Sequence, residues 1–297
     1  MAERQTEKRH DAATGLDLLA DVDILALLSA GQARAAQAVA AAEPALGRAA
    51  RLAATSLAQG GRLIYVAAGS SGLMALADAL ELPGTYGIAR DQIVVLLAGG
   101  MDALVDMKGG PEDDGAAARS AIEALHPGPT DCVIAVTASG QTPYPLEAAT
   151  LAKAAGAASI GIANNADAAL FSVVDVPVFL PTPAEVIAGS TRMGAGTAQK
   201  IALNMLSTLM AVRLGHVHDG LMVNLLADND KLRIRARGIV SAIALVDDVA
   251  AARAIEASDG AVKPAVLIAA GAGREQAMAL LEQHGGHLRP ALAALRA

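Results

Sequence analysis

A chain of 297 residues is long enough for one large α/β domain with a small appendage. Its net charge of −7, with Lys and Arg scattered along the chain, argues against a nucleic-acid partner, which would need a basic face. With 54% hydrophobic residues, 2% aromatic and no Trp, the core must be filled by Ala, Leu, Val and Ile, and the single cysteine, Cys132, excludes an intrachain disulfide and suits a reducing compartment.

The first twenty residues are charged and lack the apolar centre of a signal peptide. The longest apolar stretch, Ile201 to Leu214, is interrupted by polar residues and too short to cross a bilayer. A cytoplasmic protein with no membrane partner is the expectation. Residues 1–30 read as an arm ending in a short helix. Ala30 to Gln59 is Ala-rich and reads as one long helix, or two broken at Pro44. Leu63 to Ala68 is the first core strand, followed by Gly69-Ser70-Ser71-Gly72 and a helix over Ser71 to Leu82, closed by Pro83-Gly84. Gln92 to Ala98 is a second strand. After a glycine-rich loop, Pro111-Glu112-Asp113-Asp114 predicts a helix start, with Pro near its first position and acids in its first turn, and the helix runs to about Leu125.

Asp131 to Thr137 is a third strand and repeats the first unit's pattern: a small polar loop, Ala138-Ser139-Gly140-Gln141-Thr142, then a helix after Pro143. Ala158 to Ala163 and Val173 to Leu180 supply strands four and five. Near-continuous apolar strands alternating with helices predict a doubly wound, five-stranded parallel sheet covered on both faces. The two serine loops then lie at strand carboxyl ends, beside the expected crevice. A helix from about Arg192 to Leu214 is apolar nearly all round and should be buried. His216 to Gly220 reads as a linker, and from about residue 240 the breaks at Ser258-Asp259-Gly260, Gly271 to Gly273 and Gly285-Gly286 predict three or four short helices. The expected divisions are 1–58 (arm and helices), 59–238 (α/β domain) and 239–297 (helical subdomain).

A serine loop at a helix N-terminus presents hydroxyls and free N–H groups, a ready anion site. Taken singly, these features have plainer readings. Ser70, Ser71 and Ser139 read as helix caps, Glu81 as a solvated carboxylate, Glu112 as a helix-dipole partner and Glu185 as a buried hydrogen-bonding residue. His216-x-His218 has two ligand types and no third in register, so no metal is expected there. Gly271-Ala-Gly273 lacks the rest of a dinucleotide fingerprint.

Taken together, the stretches TEKRHDAATGLD, GRLIYVAAGSSG, LELPGTYG, GGPEDD, TASGQTPY, AEVIAGSTRMGAGTAQKIALNMLST, DNDKLRIRA and LEQHGGHLRPAL resemble the N-acetylmuramic acid 6-phosphate etherases of the sugar-isomerase (SIS) superfamily, in order and over nearly the whole chain. The resemblance implies a homodimer of SIS domains with no metal or redox cofactor. It implies loss of D-lactate from C3 of the sugar and addition of water, giving N-acetylglucosamine 6-phosphate. It maps the family's two acids onto Glu81 and Glu112. The sugar-phosphate contacts map onto Ser70, Ser71, Ser139, Gln141, Thr142 and the segment with Glu185, Ser190 and Thr191. The chain departs from the family pattern at four motif positions: Leu73, Gln141 and Gly194 replace cations, and Leu80 replaces a serine. A non-catalytic sugar-phosphate regulator, or a SIS lyase or isomerase on another phosphosugar, stands as the alternative.

The implied chemistry needs two carboxyls in different protonation states. One removes the C2 proton, acidic in the open-chain aldehyde, and one protonates the departing ether oxygen. Helix position assigns Glu112, in a first turn, as base and Glu81, in a last turn, as acid. The dipole contributes only ~0.3–1 kcal/mol to each.

Overall fold

The computed structural model describes residues 4–227 and 229–297. Asp228, the first residue of DNDKLRIRA, lies outside the described residues. The chain divides into two compact units, Met1–Ala79 with Asp91–Ser207, and Leu80–Arg90 with Thr208–Ala297.

In the first unit, α1 (Asp21–Ala38) leads through a 3-10 turn at Val39–Ala42 into α2 (Glu43–Ala58). The first helix is thus a full-length one. The break precedes Pro44, which occupies the start of α2, where its missing N–H is harmless. By length and apolarity Asp21–Ala58 would pass for a membrane span. Only 11% of its most apolar window is buried; α1 buries Ala35, and α2 buries Leu46, Ala49, Ala50, Ala53 and Leu57. The strands are β1 (Leu63–Ala67), β2 (Ile93–Leu97), β3 (Cys132–Val136), β4 (Ala158–Ala163) and β5 (Val176–Phe179), all parallel in the order β2-β1-β3-β4-β5. They form the expected five-stranded parallel sheet flanked by helices.

Successive side chains on a strand face opposite ways. Ile64, Val66 and Val133 pack with Ala118 and Ile122 of α4 (Gly115–Leu125) and with Tyr144 and Ala148 of α5 (Pro143–Ala154). Fully burying each large aliphatic side chain contributes roughly 1.5–3 kcal/mol. Leu170 of the short α6 (Leu170–Val173) extends this face over Ala135. Tyr65 points the other way. Its hydroxyl donates to Asp78 Oδ2 (2.9 Å), and Asp78 Oδ1 accepts from Asn204 Nδ2 (2.7 Å) and Ser207 Oγ (2.9 Å). Asp78 is only 4% exposed, so this carboxylate fastens β1, α3 (Gly69–Tyr86) and α7 (Gly194–Arg213) together.

Two local expectations are corrected. α3 continues through Pro83 to Tyr86 and ends where Gly87, at φ +63°, donates its N–H to Pro83 O (2.9 Å). The ring costs one intrahelical bond without stopping the helix, and the left-handed glycine makes the stop. Glu81 therefore precedes the last turn. Likewise, Gly110–Asp113 is a separate 3-10 turn, and α4 begins only after Asp114, whose carboxylate caps Ala117 N at 2.8 Å. Glu112 is not in an α-helical first turn.

The second unit is helical. The stretch His216 to Gly220, read as a linker, begins a two-stranded hairpin of β6 (Val217–His218) and β7 (Leu221–Met222). Then come α8 (Asp230–Ala244), α9 (Asp248–Ala257), α10 (Val262–Ala269), α11 (Arg274–Gln283) and α12 (Leu288–Arg296). Val223 and Leu225 belong to the same core as Val240, Val266 and Leu288. By compactness the helical unit takes in Leu80–Arg90 and Thr208–Ala297.

Candidate active site

β1 and β3 are neighbours, so the loops at their carboxyl ends lie side by side. This is the switch point of the sheet, where connections leave in opposite directions and a crevice opens. The pocket there has a volume of about 210 Å³ and is lined by Glu7, Gly69, Ser70, Ser71, Glu112, Thr137, Ser139, Thr142, Gly189 and Thr191, together with Ala68 and Ala138. None of its lining residues is Lys or Arg.

Ser70 and Ser71 occupy the first turn of the eighteen-residue α3. Their hydroxyls have no hydrogen-bond partner among the described residues, so they are available to a ligand together with the helix N-terminal N–H groups. Across the crevice, Thr137 Oγ1 and Thr142 Oγ1 are 2.8 Å apart, Ser139 Oγ lies 3.3 Å from Thr142 Oγ1, and Gln141 N donates to Ser139 Oγ at 3.1 Å. Asn165, fully buried, donates from Nδ2 to Ala138 O (3.0 Å) and fixes the loop from behind.

Glu112 reaches the pocket from its 3-10 turn. A Cβ built on Gly69 would stand 2.5 Å from Glu112 Oε1, so the carboxyl rests on the bare α-carbon that opens α3. Burial, with the neighbouring charge of Asp113 second, raises the Glu112 pKa above the ordinary glutamate value. The helix-dipole argument assigned the opposite direction; it fails because Glu112 is not on the helix supposed to lower it.

The other expected residues are not among the pocket's lining residues. Glu81 is exposed on the part of α3 that belongs to the helical unit and is not among the pocket's lining residues. Gln141 turns its amide away, donating to Asp167 O at 3.0 Å. Glu185 is 6% exposed and spends both oxygens on the N-terminus of α7, accepting from Gly194 N (2.9 Å) and Ala195 N (2.8 Å). That is the plainer reading, a buried helix anchor. Ser190 lines a separate cavity of about 150 Å³ with Glu185, Arg192 and Leu28. At Leu73, on α3, the side chain is 36% exposed.

Sequence reasoning missed Glu7, Thr137 and Asn165. Glu7 falls inside TEKRHDAATGLD, one of the resembling stretches, which was the available signal. The histidine pair sits on the hairpin. His216 is held at a pKa of about 4, mainly by burial and then by the Lys263 charge, and His218 Nε2 lies 3.5 Å from Asp219.

Residues 28–164 match the SIS domain model. The chain is 46% identical over 290 residues to an N-acetylmuramic acid 6-phosphate etherase of Deinococcus radiodurans, covering 97% of this chain and 95% of that protein. A Streptomyces coelicolor protein of the same name is 42% identical over 280 residues, covering 94% and 90%. Among solved structures, a phosphoheptose isomerase from Francisella tularensis matches with a TM-score of 0.51 at 18% identity, over 65% of this chain and 100% of that one. That last likeness concerns the fold alone.

Proposed function

The chain belongs to the N-acetylmuramic acid 6-phosphate etherase family, and on that premise we infer the reaction its crevice performs. It is a carbon–oxygen lyase that cleaves the D-lactyl ether of N-acetylmuramic acid 6-phosphate, releasing D-lactate and N-acetylglucosamine 6-phosphate in cell-wall amino-sugar recycling. The observation that carries the reading onto this pocket is a half-buried carboxyl, Glu112, set among Ser70, Ser71, Ser139 and Thr142 at the N-terminus of α3.

The phosphoryl group is taken by the free hydroxyls of Ser70 and Ser71 and by the helix N–H groups, with the Ser139–Thr142 loop on the other side. Glu112 acts on the C2 proton. A carboxylate whose pKa is raised is a stronger base once ionised, and its pKa lies nearer the working pH. Elimination then expels the C3 ether oxygen as that oxygen gains a proton, and water adds to the resulting double bond. Glu81 is the proposed proton donor, supported by its place in LELPGTYG. A homodimer belongs to the same proposal, supported by apolar side chains left exposed on α1, Val22 (70%) and Leu25 (64%). So does a cytoplasmic location, supported by the lone, buried Cys132.

Incubating the protein with N-acetylmuramic acid 6-phosphate and assaying D-lactate tests the reaction. Lactate release that disappears in Glu112→Gln supports it. Phosphosugar binding without lactate identifies a sugar-phosphate regulator instead.

A further inference from the structure

Glu7 enters the pocket from the N-terminal arm, far in sequence from every other lining residue. The arm is fastened one residue earlier. Thr6 is 3% exposed; its O accepts from Gly189 N (3.1 Å), its N–H donates to Asn165 Oδ1 (3.4 Å), and its Oγ1 accepts from Asn165 Nδ2 (3.1 Å). Asn165 is the residue that also braces the Ser139 loop, so one buried amide sets arm and loop together. Glu7 itself is exposed at the rim. A Cβ built on Gly189 would stand 3.4 Å from its Oε2, and Thr6 Oγ1 lies 3.4 Å from its Oε1.

An ionised carboxylate only accepts hydrogen bonds. With no Lys or Arg lining the pocket and Glu112 as the second acid, a carboxylate facing a phosphate dianion would be unfavourable. Its complement must therefore be a donor, and an amino sugar offers hydroxyls and an acetamido N–H. We propose that Glu7 is a substrate-contacting carboxylate that accepts a hydrogen bond from the sugar portion of the ligand and so selects a phosphosugar over phosphate alone. The inference rests on the phosphosugar reading above, and it adds a residue that the family's acid pair does not include.

The test compares wild type, Glu7→Gln and Glu7→Asp in two measurements. One is calorimetric binding of inorganic phosphate and of N-acetylglucosamine 6-phosphate. The other is the kinetics of D-lactate release from N-acetylmuramic acid 6-phosphate. Losing a hydrogen bond to a charged acceptor should weaken phosphosugar binding about ten- to a hundredfold. Most of that loss should be in KM, with kcat changing far less. Glu7→Gln should bind inorganic phosphate as tightly as wild type or more tightly, because a negative charge has gone. Glu7→Asp keeps the charge but loses reach, so its phosphosugar affinity should fall without a gain for phosphate. Unchanged phosphosugar affinity and KM in Glu7→Gln, with an active wild type, overturns the proposal. So does an equal loss for both ligands, which would mean the arm merely props the pocket. A wild-type protein that binds neither phosphosugar overturns the functional reading and this inference with it.

Discussion

The carboxyl of Glu112 lies on the α-carbon of Gly69, leaving no room for a β-carbon between them. The contact joins the first residue of α3 to a turn more than forty positions later, and it carries the acid into the crevice. Gly69 also has φ +53°, a conformation that penalises any side chain by about 1–2 kcal/mol. Gly69→Ala should therefore lower stability by about that much and displace Glu112. Denaturant unfolding should show a modest loss, while D-lactate release should fall nearly as far as in Glu112→Gln. Retained activity in a folded Gly69→Ala protein would refute the role given to the contact.

The pH dependence follows from the same carboxyl. Its folded-state pKa is raised, so the neutral form is the one the fold favours. That contribution is complete below the ordinary glutamate pKa and is lost as pH rises through the raised value. Stability of the wild type relative to Glu112→Gln should decline across that window and level off above it, as read from unfolding midpoints at several pH values. The acid limb of the wild-type kcat/KM profile should lie above that of an ordinary carboxylate.

Asp78 accepts three hydrogen bonds in the core of the first unit. Asp78→Ala would strand the Tyr65 hydroxyl and the Asn204 amide and leave a cavity. The expected cost is about 3 kcal/mol or more. Urea unfolding measures it directly, and a loss under 1 kcal/mol would mean that water replaces the carboxylate.

Lys263 on α10 is 7% exposed, and burial pulls its pKa down to about 8. The fold thus disfavours its charged form. Stability from this group is complete above the unfolded lysine pKa and is lost as pH falls through about 8. Lys263→Met should stabilise the protein at neutral pH by on the order of 2–3 kcal/mol, with the gain shrinking at alkaline pH. Thermal melts at neutral and alkaline pH would show the difference. A destabilised methionine variant at neutral pH would show that the ammonium is satisfied in solution.

Glu185→Ala removes both acceptors at the start of α7 and should cost about 1–3 kcal/mol. Amide exchange should quicken at Gly194 and Ala195 first.

Much of this architecture is written in short-range pattern. Short apolar runs mark β1 to β5, and Ser70-Ser71 and Ser139-Gly140 mark the ends where a ligand can sit. Pro83 misled because a proline late in a helix removes one bond that neighbouring turns can do without, whereas the Gly87 conformation that ends α3 has no residue signature beyond glycine itself. Glu112 misled because Pro111 and three acids fit a 3-10 turn as well as an α-helical one. The electrostatics of Glu112 and Lys263 come from burial by distant segments, which no local spacing encodes. Glu7 is exposed, and its place was hidden because the arm's partners, Gly189 and Asn165, are well over a hundred residues away in the chain.

The Thr6 anchor has a practical bearing on how the enzyme is handled. Lys8 and Arg9 are exposed immediately beyond it, so a single tryptic cut there would detach the peptide bearing Glu7 while leaving the sheet intact. Purification tags belong at the carboxyl terminus, and a preparation whose mass is short by its first nine residues should be checked for substrate affinity before its kinetics are interpreted.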